Sequence, residues 1–526
     1  MSETLSEALG EAAKACFHNT SMRDRERAFG PSDTHMDAPD IAIYGSSLFA
    51  ATAMLPPPRA PLALDLDVDV CVIGGGLAGL TTAREVARRG WSVVVLETNR
   101  IAWSASGRNT GFVLPGFGQS PETIVERVGL EHARALWALS KAGLDYVRQT
   151  IQQHDISVDA TDGWLYVSKT DRAAEMEAEA ELLRNLGADV DVLPSDKLRA
   201  LLKTPYYFQA IAFSDAFNIH PLTYALTLAK LAEEAGARIC EGTPALSIDP
   251  AGVRKRVTTP HARVRAAHIV LAGNAHLGAV MPEIARTILP VRTYVMATKP
   301  LDAAKLAEAI AWRGSVSDTD WADNHYRVVG DRLVWSGRMT TWEADPWRFA
   351  KRLRRDIRRI YPQLGDIEID YAWSGTLGNA VHRMPQIGEI IPGVWLASAF
   401  GGHGINTTAM AGNMIARAIV DGDTAWRLFL PFELIWAGGA LGRTVAQVSY
   451  WAYRAKERLA ARASRKAEQE RDNGKGRKGS RKPKREAGDL RQHVREQRAQ
   501  QAAQRKPQAR KPARKGRPPN GSPAAP

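Results

Sequence analysis

Cysteine is scarce in this chain. Cys16, Cys71 and Cys240 are the only three among 526 residues, which excludes a disulfide framework. No C-x-x-C pair or His/Cys cluster accompanies them, so no metal site is expected. Cys71 and Cys240 lie inside apolar strand patterns and read as small buried hydrophobes. Long apolar runs are missing too. The only candidate, LFLPFELIWAGGALG at 428–442, has 15 residues, contains Glu433 and is bounded by Arg443, too few to span a bilayer. The first residues, MSETLSEALGEAAKACFHN, have no basic region followed by an apolar core, so no signal peptide is predicted and the cytoplasm is the expected compartment.

Net charge is +13, from 70 Lys+Arg against 57 Asp+Glu. From Arg462 to the end there are 21 basic and 6 acidic residues, leaving 49 and 51 in the remainder. The whole excess therefore lies in the tail, and the body is not basic. With almost no large apolar residue beyond Arg462, the tail cannot offset its ordering entropy and is expected to be disordered. It reads either as an electrostatic arm for RNA or an anionic surface, or as a solubilising extension. No aromatic residue interleaves its charges, so base stacking has no support.

What is present is concentrated at residue 68. VDVCVIGGGLAGLTTAREVARRGWSVVVLE reads as a buried strand, a glycine turn, a helix and a second strand ending in an acid. Gly74, Gly76 and Gly79 form G-x-G-x-x-G, with Gly75 inside it, and Glu97 follows the third glycine by 18 residues. Gly74 permits the tight turn, Gly76 admits a pyrophosphate, and Gly79 lets the helix lie on the sheet. Leu77 and Ala78 open that helix and offer N–H groups to the anion. Glu97 stands where a carboxylate accepts ribose hydroxyls. A dinucleotide site follows, but the fingerprint does not separate FAD from NAD(P).

The next segment, IAWSASGRNTGFVL (101–114), supplies small residues with Ser106, Arg108, Asn109 and Gly111. Together, GGGLAGL, the Glu97 strand end and SGRNTGF resemble the FAD-dependent amine and amino-acid oxidoreductases related to D-amino-acid oxidase, in pattern nearest the gamma-glutamylputrescine oxidoreductase group. That group carries G-R-N-G-G here, and Thr110 is a departure. Asn218-x-His220-Pro221, the HIVLAG strand ending at Gly273, WSGTLGNAVHRMPQIG (373–388) and VWLASAFGGHGINTTAMAG (394–412) follow in the family's order. The resemblance covers about residues 44–455. It implies that the segment holding Gly402, His403 and Gly404 closes over the flavin, and that a helix N-terminus there stabilises charge on the ring.

The fold class implied is α/β: an FAD-binding Rossmann-type domain of the glutathione-reductase/D-amino-acid-oxidase kind, interleaved with an antiparallel-sheet substrate domain of α+β type. The expected divisions are an arm and extended lead-in at 1–64, the FAD domain at 65–115, 218–290 and 375–428, and the substrate domain at 116–217 and 291–374. A C-terminal helical segment at 429–461 and the basic tail at 462–526 complete the chain. Within the substrate domain, 116 onward opens with an amphipathic helix, whereas 291–374 reads as strands with a hairpin at Gly330-Asp331.

The implied activity is oxidation of a C–N bond in an amine or N-substituted amino acid, by hydride transfer to flavin N5, with hydrolysis of the imine. No second G-x-G-x-x-G stands in a strand–helix setting, so the organic substrate is expected to reduce the flavin. FAD is expected to be non-covalent, because no cysteine follows Cys240 and no histidine lies between the glycine turn and Gly111. His382 and Arg383 are the candidates for the reacting centre. Arg338, Tyr326 and Trp335 are the candidates for substrate contact, with Arg292, Arg327 and Trp373 beside them. Arg338 stands where the resemblance implies glycine. Oxygen, a quinone or an electron-transfer protein would take the electrons. The alternatives are a tRNA-modifying FAD oxidoreductase anchored by the tail, an NADPH-fed flavin monooxygenase, and a flavin-bearing interaction protein without activity. An inner-membrane contact through the tail is the alternative to a purely cytoplasmic location.

Overall fold

The computed structural model of the protein describes residues 44–278, 280–319 and 324–476. The chain divides at Arg465/Lys466, and the two sheets lie in the first unit.

The first sheet has eight strands. At its centre lies Leu66–Ile73, paired in parallel with Arg263–Leu271 on one side and Val93–Leu96 on the other. Val70, Cys71 and Val72 are fully buried because helices or strands cover both faces, which is why this segment is an uninterrupted apolar run. Parallel pairing requires a crossover, and Leu77–Arg88 provides it. The register matters for function. Ile73 lies level with Leu96 and with Leu271, so three strands end at one height. Gly74, Glu97 and Gly273 follow those ends within two residues, the place where ligands bind in open α/β sheets.

The second sheet has nine strands, from Ile369–Asn379 at one end to Phe112–Val113 at the other. Leu289–Thr298, Arg332–Thr340 and His325–Val329 run antiparallel, and the last two form the expected hairpin with Gly330 at φ +59°. One pairing departs from the antiparallel expectation: Ser315–Asp318 runs parallel to Thr161–Val167. The expected domain border at 374/375 falls inside the strand Ile369–Asn379.

Three other expectations change. The lead-in is not wholly extended: Leu48–Thr52 forms a short helix whose Ser47 hydroxyl accepts the Ala50 N–H at 3.0 Å, and Phe49 is buried beneath it. The arm at 1–40 lies outside the described residues. The 291–374 segment contains a helix as well as strands. Pro346–Ile360 begins after Asp345, whose carboxylate accepts the Trp347 N–H, and it buries Phe349, Leu353, Ile357 and Ile360 on one face. The C-terminal helix runs Gly439–Gly476 and so passes the expected onset of disorder at Arg462. Alanines at 461, 463 and 467 and the Lys466–Glu470 pair, one turn apart, favour its continuation. The rest of the tail lies outside the described residues.

Candidate functional site

Backbone contacts make the glycine turn possible. At Gly74, φ is +114°, and a Cβ would meet the Ala272 carbonyl oxygen at 2.7 Å. At Gly79 a Cβ would stand 2.0 Å from the Gly74 carbonyl oxygen, so only glycine lets this helix rest on the turn. The acid is tied to the same turn. Glu97 accepts the Gly75 N–H at 2.7 Å through one carboxylate oxygen and the Asn99 N–H at 2.8 Å through the other. Burial pushes the carboxyl above the usual range, and those two N–H donors oppose the rise. The Leu77 N–H, expected to face an anion, donates to Ser106 Oγ at 3.0 Å.

A groove of about 280 Å³ runs along these strand ends, lined by Gly74, Gly76, Glu97, Asn99 and Gly273. It meets a larger cavity of about 730 Å³ at Ala105, Ser106 and Asn274, which line both. The larger cavity takes its floor from Arg108, Asn109 and the loop Gly401–Gly404. The helix Gly404–Asp421 starts there after the strand Val394–Ser398, with His403 at its cap. A Cβ on Gly402 or Gly404 would meet nothing within 4 Å, so a flat group can approach this backbone. His403 Nδ1 lies 3.1 Å from the Pro115 carbonyl oxygen, and burial holds the imidazole to about 4, hence neutral. Trp164, Tyr166, Phe213, Val295 and Met339 give the far walls an apolar character, and Asp318, His325, Arg338 and Arg383 supply charge or protons.

Two arginines reach the cavity by unusual backbone. Arg338 has φ +65° and Arg383 φ +58°, a left-handed conformation that costs a branched-chain-free L-residue about 1 kcal/mol. The geometry at Arg338 is the one glycine favours. Its guanidinium bonds the Asp356 carboxylate on the Pro346–Ile360 helix, and both are largely buried. Arg383 is pulled below the ordinary guanidinium value by burial, with the Tyr453 hydroxyl acting in the opposite sense.

Several expected residues do not line the cavity. Tyr326 and Trp335 stack on each other at 3.9 Å in a separate core with Tyr361, whose hydroxyl is 2.7 Å from that of Tyr326. Side chains alternate along a strand, so His325 and Ser336 face the cavity while their neighbours Tyr326 and Trp335 face the opposite side. His382 is turned away: its Nε2 is 3.1 Å from the Glu433 carbonyl oxygen, and its Nδ1 accepts the Met384 N–H. Arg292 pairs with Glu343 at 3.0 Å. Arg327 is fully buried, donates to the Ile219 carbonyl at 2.7 Å and is pulled down by burial to about 9. Trp373 donates to the Arg108 carbonyl at 2.9 Å, holding that loop from behind. Gly111 is also structural, since a Cβ there would lie 2.0 Å from the Ile219 carbonyl oxygen. Gly75, Ala78 and Gly79 shape the turn without lining either space.

The sequence reading missed Asn274, Ser449 and Tyr453. Asn274 adopts φ +49° and accepts the Ala399 N–H at 2.9 Å, joining two strand ends. An asparagine directly after the HIVLAG strand could have flagged that turn. Ser449 and Tyr453 lie on the C-terminal helix and close the cavity from a distance no local pattern reveals.

The parallel sheet, the glycine turn and the cavity at its strand ends define a dinucleotide-binding oxidoreductase. The FAD dependent oxidoreductase family, DAO, matches residues 69–418, and the chain belongs to it. "Probable oxidoreductase OrdL" of Haemophilus influenzae is 31% identical over 378 residues, 70% of this chain and 86% of that protein. Gamma-glutamylputrescine oxidoreductase of Escherichia coli is 31% identical over 383 residues, 72% of this chain and 89% of its own length. Among solved structures, L-proline dehydrogenase from P. horikoshii superposes with a TM-score of 0.60 at 19% identity, covering 70% of this chain and 98% of that one. The family's cofactor suits what is present: a groove at strand ends, glycines where a Cβ would collide, and open space over Gly402 and Gly404. Gly74, Gly76, Glu97 and Gly273 would hold the nucleotide half of FAD, and Ser106, Arg108, Asn109, Gly402, His403 and Gly404 the ring half.

Proposed function

We propose that this protein oxidises a C–N bond of an amine or N-substituted amino acid, with FAD held non-covalently. The observation that carries this reading is one apolar cavity, charged at few points, that meets the cofactor groove at Ser106 and Asn274. A bound flavin would supply the two-electron acceptor for hydride leaving the carbon beside nitrogen, and the imine product then hydrolyses. The chain's own residues supply the setting. Walls of Trp164, Phe213, Val295 and Met339 disfavour an ammonium and so keep a reacting amine neutral. Arg383 and Arg338 give the cavity its positive side, suited to a substrate carboxylate. His403, neutral and held by Pro115, borders the cavity beside Gly402 and Gly404 and would face a bound flavin as a hydrogen-bonding group rather than a cation. Non-covalent binding is favoured because no cysteine lines either space among the described residues, and Cys71 and Cys240 are buried. The similarity to gamma-glutamylputrescine oxidoreductase adds weight to an amine substrate.

The test is anaerobic mixing of the yellow protein with amines, N-methyl amino acids and D-amino acids, alongside NADPH. Bleaching by an amine is the expected result, and admission of air then separates oxidase from dehydrogenase. Bleaching by NADPH alone would overturn the assignment in favour of a monooxygenase or reductase.

A further inference from the structure

Exposed large apolar side chains are not scattered evenly over this protein. Trp342, Trp347, Val381 and ten residues between Leu430 and Leu459 make up 13 of the 18 in the described residues. All four exposed tryptophans, Trp342, Trp347, Trp436 and Trp451, are in this group. The rings of Trp342 and Trp451 are 6.1 Å apart, and Trp436 lies against Gly439 at the start of the C-terminal helix.

The helix organises the group. Its inner face is held by Gln447, whose side-chain Oε1 accepts the Thr341 N–H at 3.0 Å, and by buried Tyr450, Arg454 and Ala461. The residues opposite are Leu441, Val445, Val448, Ala452, Ala455 and Leu459, all exposed. Their spacing of four and three keeps them in one narrow strip along the helix. A large apolar strip facing water marks an interaction surface.

Charge decides what covers it. Between residues 434 and 467 the chain has seven Lys+Arg and one acid, Glu457, which is turned partly inward. Lys456, Arg458 and Arg462 are exposed beside the strip, and Arg462 and Lys466 continue its spacing. From residue 467 to the end the sequence adds 18 basic and 6 acidic residues. The same spacing would suit pairing with a second copy of the helix, but such a pair would bring basic flanks together with no acids to match them. RNA would meet the charges and leave the aliphatic strip in water. An anionic bilayer satisfies both, with aliphatic side chains in the acyl boundary, tryptophans at headgroup level and Lys/Arg on the phosphates. No described helix is long and apolar enough to cross a membrane, in keeping with one that lies flat.

We infer that the outer face of the C-terminal helix, residues 441–459 with Trp342 and Trp436, docks on an anionic lipid surface. The inference does not depend on the substrate or on the assigned reaction. Its test is co-sedimentation of the full chain with vesicles of phosphatidylcholine alone or mixed with phosphatidylglycerol. The expected result is binding to the mixed vesicles, weakened but not abolished by high salt. The double substitution Val445→Ser/Val448→Ser, neither of which lines the cavity, should reduce binding about tenfold while melting temperature and bound flavin stay unchanged. Val445→Leu/Val448→Leu should bind at least as well as the parent. No sedimentation with the mixed vesicles would overturn the inference. So would undiminished binding of the serine variant, which would assign binding to the basic tail alone. Light scattering that shows a dimer without lipid, split by the serine pair, would make the strip a self-interface and also overturn it.

Discussion

The two ends of the composite cavity are built by opposite means. The cofactor end is made of backbone: Gly74 against Ala272, Gly79 against Gly74, and one carboxylate, Glu97, tied to two N–H groups. The other end, which we assign to the substrate, is made of side chains from distant segments, among them Trp164, Phe213, Val295, Arg338, Arg383 and Tyr453. At the first end the space is fixed by close contacts that tolerate no added atom. At the second it is set by side chains held in place by partners such as Asp356. Damage should therefore be all-or-none at the cofactor end and graded at the substrate end.

The sharpest way to break that contrast is Gly79→Ala. A single methyl would stand 2.0 Å from a backbone oxygen, and separating the helix from the turn should cost about 3 kcal/mol or more. The variant is expected to be purified colourless or not at all, as judged by visible flavin absorbance. Glu97→Gln comes next. It keeps the shape but turns one acceptor into a donor facing an N–H, and FAD affinity should fall about 10- to 100-fold, measured by flavin fluorescence quenching. At the other end, Arg383→Met should raise KM for a carboxylate-bearing substrate about tenfold with bound flavin unaffected. If Arg383→Met also lost its flavin, the division between the two ends would be drawn in the wrong place.

Smaller effects sharpen the contrast. His220 caps the helix Pro221–Glu234 by accepting the Thr223 N–H, and burial holds its pKa to about 4. Unfolded, it would titrate near 6.5, so between those values the unfolded chain binds the extra proton. Its contribution to stability is complete above about pH 6.5 and is lost as pH falls toward 4, with a slope of up to about 1.4 kcal/mol per pH unit. Melting temperature should drop over that interval, and less steeply in His220→Asn. The smallest change expected is in Tyr453→Phe, which removes one hydroxyl beside Arg383 and should shift KM about two- to fivefold.

How far the sequence could be read follows from how each part is made. Gly74, Gly76, Gly79 and Glu97 lie within one strand–turn–helix–strand unit, so spacing alone brought them together at the strand ends, where Gly74, Gly76 and Glu97 line the groove. The hairpin at Gly330 was legible for the same reason. Tyr326 and Trp335 were placed on the wrong side because period-two alternation identifies two faces without saying which one meets the cavity. Their neighbours His325 and Ser336 hold the places expected of them. His382 was one residue from a cavity-lining position, and its ring is drawn off by Glu433, 51 residues on. Residues 346–360 were read as part of a strand-rich region, although Asp345-Pro346 and the buried Phe349, Leu353 and Ile357 carry a helix signature. Tyr453 could not be read at all, since it reaches the cavity only by tertiary packing.

That last wall has a consequence for how such a protein can change. The family match ends at residue 418, whereas Ser449 and Tyr453 come from a helix beginning at Gly439. One wall of the cavity therefore comes from beyond that match, while Trp164, Phe213, Val295, Arg338 and Arg383 lie within it. Exchange of the terminal segment would alter that one wall and leave the glycine turn untouched.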